Sequence, residues 1–398
     1  MGSIISLGVG RLEIDWGKNN YFHNHSPLFF REDIKPEIYY YAEGVQDVKP
    51  AFSRPLRKVL PRLDLLGYSL PKCRALYDSL ASDIADYYPD PEISFDMLRR
   101  VLGQVDVAKM QMPEDIHQDY DLGEYAAKVI LNDPEFTKTE AHLASLTRDD
   151  GTFFENIHPY IILLLLGENP ANLDQNVIWR FQDVLESGWI SEDLSDLYKG
   201  LDDEERYLVV TEGSSDSSIL KAALPLVAPD VADFFNFIDM SENYPFTGTG
   251  NLFRFCQGLT AIRIQNNILV VLDSDVAGLE TLGKIRRLSM PQNFHVTCLP
   301  PLAEFSTFNT LGPSGESVED VNGRAVAIEC FLDLKYESNV DAAVRWTSFN
   351  RELNSYQGEL ANKERYIRTF FGFAGRNPQY DLSKLSYLWK HLLSECVA

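Results

Sequence analysis

At 398 residues, with 45% hydrophobic and 24% charged content, the chain has the make-up of an ordinary soluble globular protein of two or three domains, long enough for a sizeable core. Its 59 acidic and 36 basic residues leave a net charge of −23. That charge counts against free, non-specific binding to nucleic acid, while leaving room for a local basic groove, a surface supplied by a partner, or metal bridging to phosphates.

Residues 1–50 read as a small β unit. Ile4–Gly10 and Arg11–Gly17 alternate and end in turn residues, and Lys18-Asn19-Asn20 is a further turn. His23 and His25 share a face if extended; a metal site is one reading and a polar strand face the other, with no third ligand nearby in sequence. Gly2 and Ser6 fit a Met-Gly-x-x-x-Ser myristoylation pattern, read here as a coincidence at a strand start. The opening MGSIISLGVGRLEIDWGKN resembles an amino-terminal module found ahead of HEPN or TOPRIM effector domains in bacterial conflict systems. The resemblance implies a recognition or regulatory unit.

Residues 51–204 read as helical. Leu56–Leu66 has helical spacing interrupted by Pro61, and Cys73–Tyr88 carries Leu76, Leu80, Ile84 and Tyr87 on one face before Pro89 and Pro91. Ser94 is an N-cap candidate for Phe95–Leu102, and Asp121 for Leu122–Leu131. Pro159–Leu166 and Asn172–Ser187 are two more helical segments, with Trp179, Phe181 and Trp189 read as packing residues. Ile161–Leu166 is too short to span a bilayer. No basic leader with a long apolar core opens the chain. The five cysteines, Cys73, Cys256, Cys298, Cys330 and Cys396, form no CxxC pair, which argues for a reducing compartment. Together these point to the cytoplasm. A HEPN ribonuclease needs Arg and His a few residues apart on one helix; Arg148 and His158 are too far apart, with Gly151 between them.

Asp202-Asp203-Glu204-Glu205 is an acidic linker into an α/β segment over 205–335. Tyr207–Thr211 and Ile268–Leu272 are short runs of Val, Ile and Leu, as strands buried on both faces should be. The first stops at Glu212-Gly213 and the second at Asp273-Ser274-Asp275, and a helical pattern follows each. Strand, turn and helix in alternation predict a parallel sheet, whose carboxyl edge gathers Glu212, Asp273 and Asp275. Three acids at one edge repel each other unless a cation sits among them, and hard oxygen ligands suit Mg²⁺ or Mn²⁺. Asp216, on the first turn of the following helix, can face the same cation. Glu212-Gly213 and Asp273-x-Asp275-x-x-Gly278, each after a strand, resemble the TOPRIM domain. Topoisomerases, primases, small RNA-maturation nucleases and the overcoming-lysogenization-defect nucleases share that domain. Phe234–Asp239 and Phe294–Leu299 fit its second and fourth strands, and Leu252–Leu259 a helix after Gly248 and Gly250.

Gly312-Pro313 and Ser314-Gly315 mark a loop, and residues 336–398 read as a helical tail over Val340–Leu353, Leu360–Phe371 and Leu382–Leu393. The segment from Glu319 to Leu332 resembles a late element of the overcoming-lysogenization-defect nucleases, in which an acid on a helix completes a second metal site. Glu329 matches it, with Asp320 as the alternative, and a surface carboxylate is the structural reading of either. The resemblance implies metal-assisted phosphodiester cleavage of DNA or RNA by Glu212, Asp216, Asp273, Asp275 and Glu329. Lys221 or Lys284 could stand against the leaving oxygen, though nothing in the sequence singles them out. The structural alternatives are that Asp216 favours a helix N-terminus and Asp275 caps a helix. No GxxxxGK[ST] motif is present, so any ATPase has to be a partner. The expected setting is a phage-defence effector released by a sensor or by self-assembly. An interaction module that does not cut, or another Mg²⁺-dependent phosphotransfer enzyme, are the competing classes.

Overall fold

The computed structural model describes residues 3–41, 45–84, 94–110, 120–125, 152–190, 193–238, 248–313, 315–338, 340–351 and 354–397. They belong to two compact units, Met1–Leu201 and Asp202–Ala398. Among the described residues, no helix is long and apolar enough to cross a membrane.

The first unit is built on a six-stranded sheet. Its strands are β1 (Ile4–Val9), β2 (Leu12–Lys18), β3 (Ile34–Tyr40), β4 (Gln46–Pro55), β5 (Tyr120–Asp121) and β6 (Asn176–Arg180), in the order β3-β4-β6-β1-β2-β5. Ile5, Leu7 and Val9 alternate onto one face, as strand geometry requires, and are buried there with Val177 and Trp179 of β6. Phe29 and Phe52 stack on the Trp179 ring at centroid distances of 6.4 and 5.6 Å. Helices α1 (Leu56–Leu65), α2 (Leu70–Ile84), α3 (Phe95–Leu102) and α4 (Pro159–Leu166) contribute to the same core. Ser94 does cap α3, accepting the Met97 N–H. Leu122–Tyr125 is helical as expected, and the rest of the predicted Leu122–Leu131 helix lies outside the described residues.

Two expectations for this unit are corrected. The β unit does not end at residue 50: β4 runs to Pro55 and pairs with β6, inside the region expected to be helical. Asn172–Ser187 is not one helix. Residues 176–180 form a strand between β4 and β1, and a short helix, α5 (Gln182–Glu186), follows. The short apolar stretch Val177-Ile178-Trp179 has the same composition in a strand or a helix, and here the neighbours decide. Trp189, expected in the packing, is 48% exposed.

The second unit carries a four-stranded, wholly parallel sheet of β7 (Tyr207–Thr211), β8 (Phe235–Phe237), β9 (Asn267–Leu272) and β11 (Phe294–Cys298), in the order β11-β9-β7-β8. Between β9 and β11 comes the two-residue β10 (Ser274–Asp275). The helices α6 (Ser214–Val227), α7 (Thr249–Ala261) and α8 (Val276–Ile285) follow β7, β8 and β10. Asp239, expected at the end of the second strand, lies outside the described residues.

A second sheet follows, of β12 (Phe308–Gly312), β13 (Gly315–Glu319), β15 (Ala343–Asn350) and β16 (Ser355–Leu360); β14 (Ala325–Val326) pairs separately with β10. The expected helix over Val340–Leu353 is therefore corrected to a strand. Val344, Trp346 and Phe349 are β-formers, and β15 is held parallel to β12 and antiparallel to β16. The last helices are α9 (Lys363–Phe373) and α10 (Ser383–Val397). Trp389 of α10 meets Phe235 edge to face at 5.3 Å, and the Tyr207 hydroxyl donates to the Cys396 carbonyl at 3.1 Å. The final helix is thus part of the packing beneath β7 and β8.

Candidate active site

The carboxyl edge of the parallel sheet collects the predicted acids. Glu212 follows β7 and Asp273 follows β9; the strands are adjacent and parallel, so both acids emerge on the same side. The Asp273 N–H donates to Glu212 Oε1 at 3.0 Å. Gly278 permits this approach: a Cβ there would stand 2.1 Å from the Asp273 carbonyl oxygen and 3.2 Å from Glu212 Oε1. The glycine of the Asp-x-Asp-x-x-Gly motif is therefore a packing requirement.

Asp275 pairs with Ala325 of β14, and this brings the following segment up to the edge. Glu329 arrives on it, in the single 3-10 turn Ile328–Phe331 rather than on the longer helix expected, and is 2% exposed. A short turn suffices because β14, not a helix, fixes its position. Asp320 is not with the acids in this arrangement. It is exposed and accepts the Asn322 N–H at 2.9 Å, closing a turn.

The acids act on one another electrically. Burial, then the charges of Asp216, Glu212, Asp275 and Glu329, hold the Asp273 carboxyl well above the usual range. Burial raises Glu212 to about 7, helped by Asp275 and Asp216 and opposed by the Asp273 N–H. Burial and the charge of Glu329 raise Asp216 to about 6, against hydrogen bonds from Gly213 and Ser215 and the charge of Lys363. Burial also raises Asp275, against the N–H groups of Gly278 and Ala277 and the Gln357 amide. Asp273 thus feels the charge of each of the other four predicted acids.

Their oxygens are also engaged locally. Asp216 accepts the Gly213 N–H at 2.9 Å and the Ser215 hydroxyl at 3.2 Å. Asp275 caps α8 through the Gly278 N–H at 2.7 Å, and its other oxygen accepts Gln357 Nε2 at 3.0 Å. The capping roles that the sequence allowed for both residues are real. Among the described residues, no group of three or more His, Cys, Asp or Glu side chains is arranged to hold a metal ion. The donor chemistry nevertheless fits a hard divalent cation: every candidate ligand is a carboxylate oxygen, and their mutual repulsion is what a cation relieves.

Gln357 and Lys363, absent from the sequence reading, reach the cluster from the end of the chain. They come from β16 and the start of α9, and no motif spacing marks them. Of the expected lysines, Lys221 is exposed and Lys284 pairs with Glu280 at 2.6 Å.

In the first unit, the histidines have more neighbours than their sequence spacing suggested. Asp15 Oδ2 lies 3.2 Å from His23 Nδ1 and 2.8 Å from His25 Nε2, and the His23 and His158 rings are 6.3 Å apart. Burial lowers His25 against the opposing effect of Asp15, and burial lowers His158 to about 4. His158 meets the Tyr68 hydroxyl at 2.9 Å, so it is a packed, hydrogen-bonded group.

A family model described as HEPN/Toprim N-terminal domain 1 matches residues 1–205. No curated protein and no solved structure matches the chain.

Proposed function

The chain belongs to the HEPN/Toprim N-terminal domain 1 family, and from that premise we propose that residues 202–398 are a TOPRIM nuclease that cleaves phosphodiester bonds with a divalent cation. The observation that carries this reading is the convergence of acids at the carboxyl edge of a parallel sheet, where Glu212 accepts the Asp273 N–H at 3.0 Å and the pairing of Asp275 with Ala325 brings in the segment that holds the buried Glu329. Such crowded carboxylates are costly unless a cation sits among them.

Glu212, Asp216, Asp273, Asp275 and Glu329 would hold Mg²⁺ or Mn²⁺. The bound cation supplies Lewis-acid polarisation of a phosphate oxygen. Glu212, whose oxygen is fixed by the Asp273 N–H, would either hold the cation directly or take a proton from attacking water beside it. Gln357 orients Asp275 through its amide. Lys363, whose charge already reaches Asp216, offers a positive group to the phosphate. DNA or RNA is the substrate class. The net charge of −23 disfavours unaided binding to nucleic acid, which supports gating by a partner; an antiviral-defence setting in the cytoplasm, with a sensor, an ATPase or a second copy as the trigger, completes the proposal.

The competing reading is a TOPRIM-like interaction module that does not cut. The capping hydrogen bonds of Asp216 and Asp275 favour it. Purified wild-type protein and Asp273→Ala should be compared on plasmid DNA, single-stranded DNA, total RNA and tRNA with Mg²⁺, Mn²⁺ or EDTA. Cutting that needs metal and is lost in the variant is the expected result. If no substrate is cut while the folded protein binds metal, the interaction module is the better reading.

A further inference from the structure

Glu329 is held differently from Glu212, Asp216 and Asp275. Each of those three accepts a backbone N–H that fixes its carboxylate. Glu329 is 2% exposed, and among the described residues no hydrogen bond ends on its carboxylate. Its charge nevertheless reaches Asp216 and Asp273. The direction of the side chain is therefore set by the backbone that carries it, the four-residue 3-10 turn Ile328–Phe331.

That turn is anchored on both sides. Before it comes the pairing of Ala325 with Asp275. After it, the segment that opens α10 takes hold. Lys384 Nζ donates to the Cys330 carbonyl at 2.8 Å, one residue beyond Glu329. The Asp333 N–H donates to the Tyr380 hydroxyl at 3.1 Å, and the Asp381 N–H donates to Asp333 Oδ2 at 2.9 Å. Phe331 meets Phe305 edge to face at 5.5 Å and sets the depth of the turn. A ring contact is less directional than a charge-assisted hydrogen bond to a carbonyl, so the orientation falls to Lys384.

Lys384 also sits where a lysine is disfavoured. It is the second residue of α10, at the positive end of that helix. Its side chain is only 18% exposed. Its ammonium meets Glu304 at 3.3 Å, but Glu304 is half exposed, so that ion pair does not need a buried lysine. The contact that does need one is the bond to the Cys330 carbonyl.

We propose that Lys384 is a positioning residue for the cation site: by holding the Cys330 carbonyl it turns Glu329 toward Asp216 and Asp273. This role rests on the reading of the acids as a cation site. Lys384 acts on cation affinity, through Glu329, without being a ligand itself.

Titration of the full chain with Mn²⁺, with free Mn²⁺ followed by paramagnetic resonance, tests it. Lys384→Met keeps the aliphatic stem and removes the ammonium. It should weaken Mn²⁺ binding by roughly tenfold, as loss of a group behind a ligand does. Lys384→Arg, which keeps a charged donor, should recover most of the affinity. Tyr380→Phe keeps the ring beside Tyr336 and loses the acceptor of the Asp333 N–H; it should weaken binding by a smaller factor. In a Glu329→Gln background, Lys384→Met should change affinity by less than about twofold, because the ligand it positions is gone. Circular dichroism in EDTA checks folding, and if Lys384→Met does not fold, the same comparison is made with Tyr380→Phe. Cleavage is a separate readout: the slower rate of Lys384→Met should return toward the wild-type rate at raised Mg²⁺, which a purely structural defect would not do. Unchanged Mn²⁺ binding in the folded variant, equal losses with and without Glu329→Gln, or no Mn²⁺ binding by the wild type would overturn the proposal. If the wild type binds Mn²⁺ but cuts nothing, the nuclease reading falls, and the comparison with Glu329→Gln still decides the role of Lys384.

Discussion

Glu212 accepts the backbone N–H of Asp273 at 3.0 Å, joining the carboxyl ends of β7 and β9 through a side chain placed just beyond the sheet ladder. The bond fixes one oxygen of Glu212 and the backbone direction of Asp273 together. Anything that separates the two strand ends therefore disturbs both acids at once.

Gly278→Ala is the simplest such disturbance. The added methyl would stand 2.1 Å from the Asp273 carbonyl oxygen, too close without movement of the backbone. We expect a stability loss of about 2–3 kcal/mol and cleavage reduced to the level of Asp273→Ala. Thermal unfolding and the cleavage assay check the two effects. Wild-type activity in the variant would show that the close approach is not needed.

The acids make the second unit sensitive to pH. Their folded pKa values are raised, so their favourable contribution is complete below about pH 4 and is lost as pH rises through the folded values, about 6 for Asp216 and about 7 for Glu212. In EDTA, stability should fall between pH 4 and 7, by on the order of 2 kcal/mol from Glu212 alone. Mg²⁺ should restore it at pH 7.5 and have little effect at pH 5. Hydrogen exchange of peptides spanning residues 207–275 gives the readout, and a Mg²⁺ effect equal at both pH values would contradict the cluster.

The first unit should respond in the opposite direction. His25 and His158 are held neutral by burial, and Asp15, His23, Tyr68 and Tyr160 are the titratable groups around them. Their folded pKa values are lowered, so the unfolded chain takes up protons first and stability falls as pH drops from about 6.5 toward 4. Exchange in peptides covering 12–28 and 158–166 should accelerate over that range. His158→Phe, which keeps the ring packing against Tyr68 and Tyr160, should flatten the dependence.

Gln357→Ala removes a hydrogen bond that lowers the Asp275 pKa. Activity should drop by roughly tenfold, and the acid limb of the pH–rate profile should move to higher pH. Lys363→Met should cost on the order of 100-fold in kcat with little change in thermal stability. A structural role alone would alter unfolding without moving the pH profile.

The motif acids were legible because each sits at the junction of a short apolar strand and a turn, where chain order alone predicts the shared edge. Ser94 as a cap and the run Pro159–Leu166 as a helix were equally local. What was not legible depends on pairing across distance. Val177–Arg180 is a strand because β4 and β1 flank it, and Ala343–Asn350 because β12 and β16 do. Gln357 and Lys363 escaped notice for the same reason, since a glutamine within a strand and a lysine at the start of the next helix carry no spacing that names a target.

The packing of α10 also bears on when the acid cluster can form during synthesis. Trp389 and Cys396 complete the contacts of Phe235 and Tyr207, so the parallel sheet lacks one of its covers until the ribosome has passed residue 396. The first unit, complete by Leu201, has its own core and can fold while the rest is still being made. A nascent chain would thus present its folded first unit well before it could assemble the acids of the second, and, on the nuclease reading proposed above, a translating cell would be spared cleavage by unfinished copies.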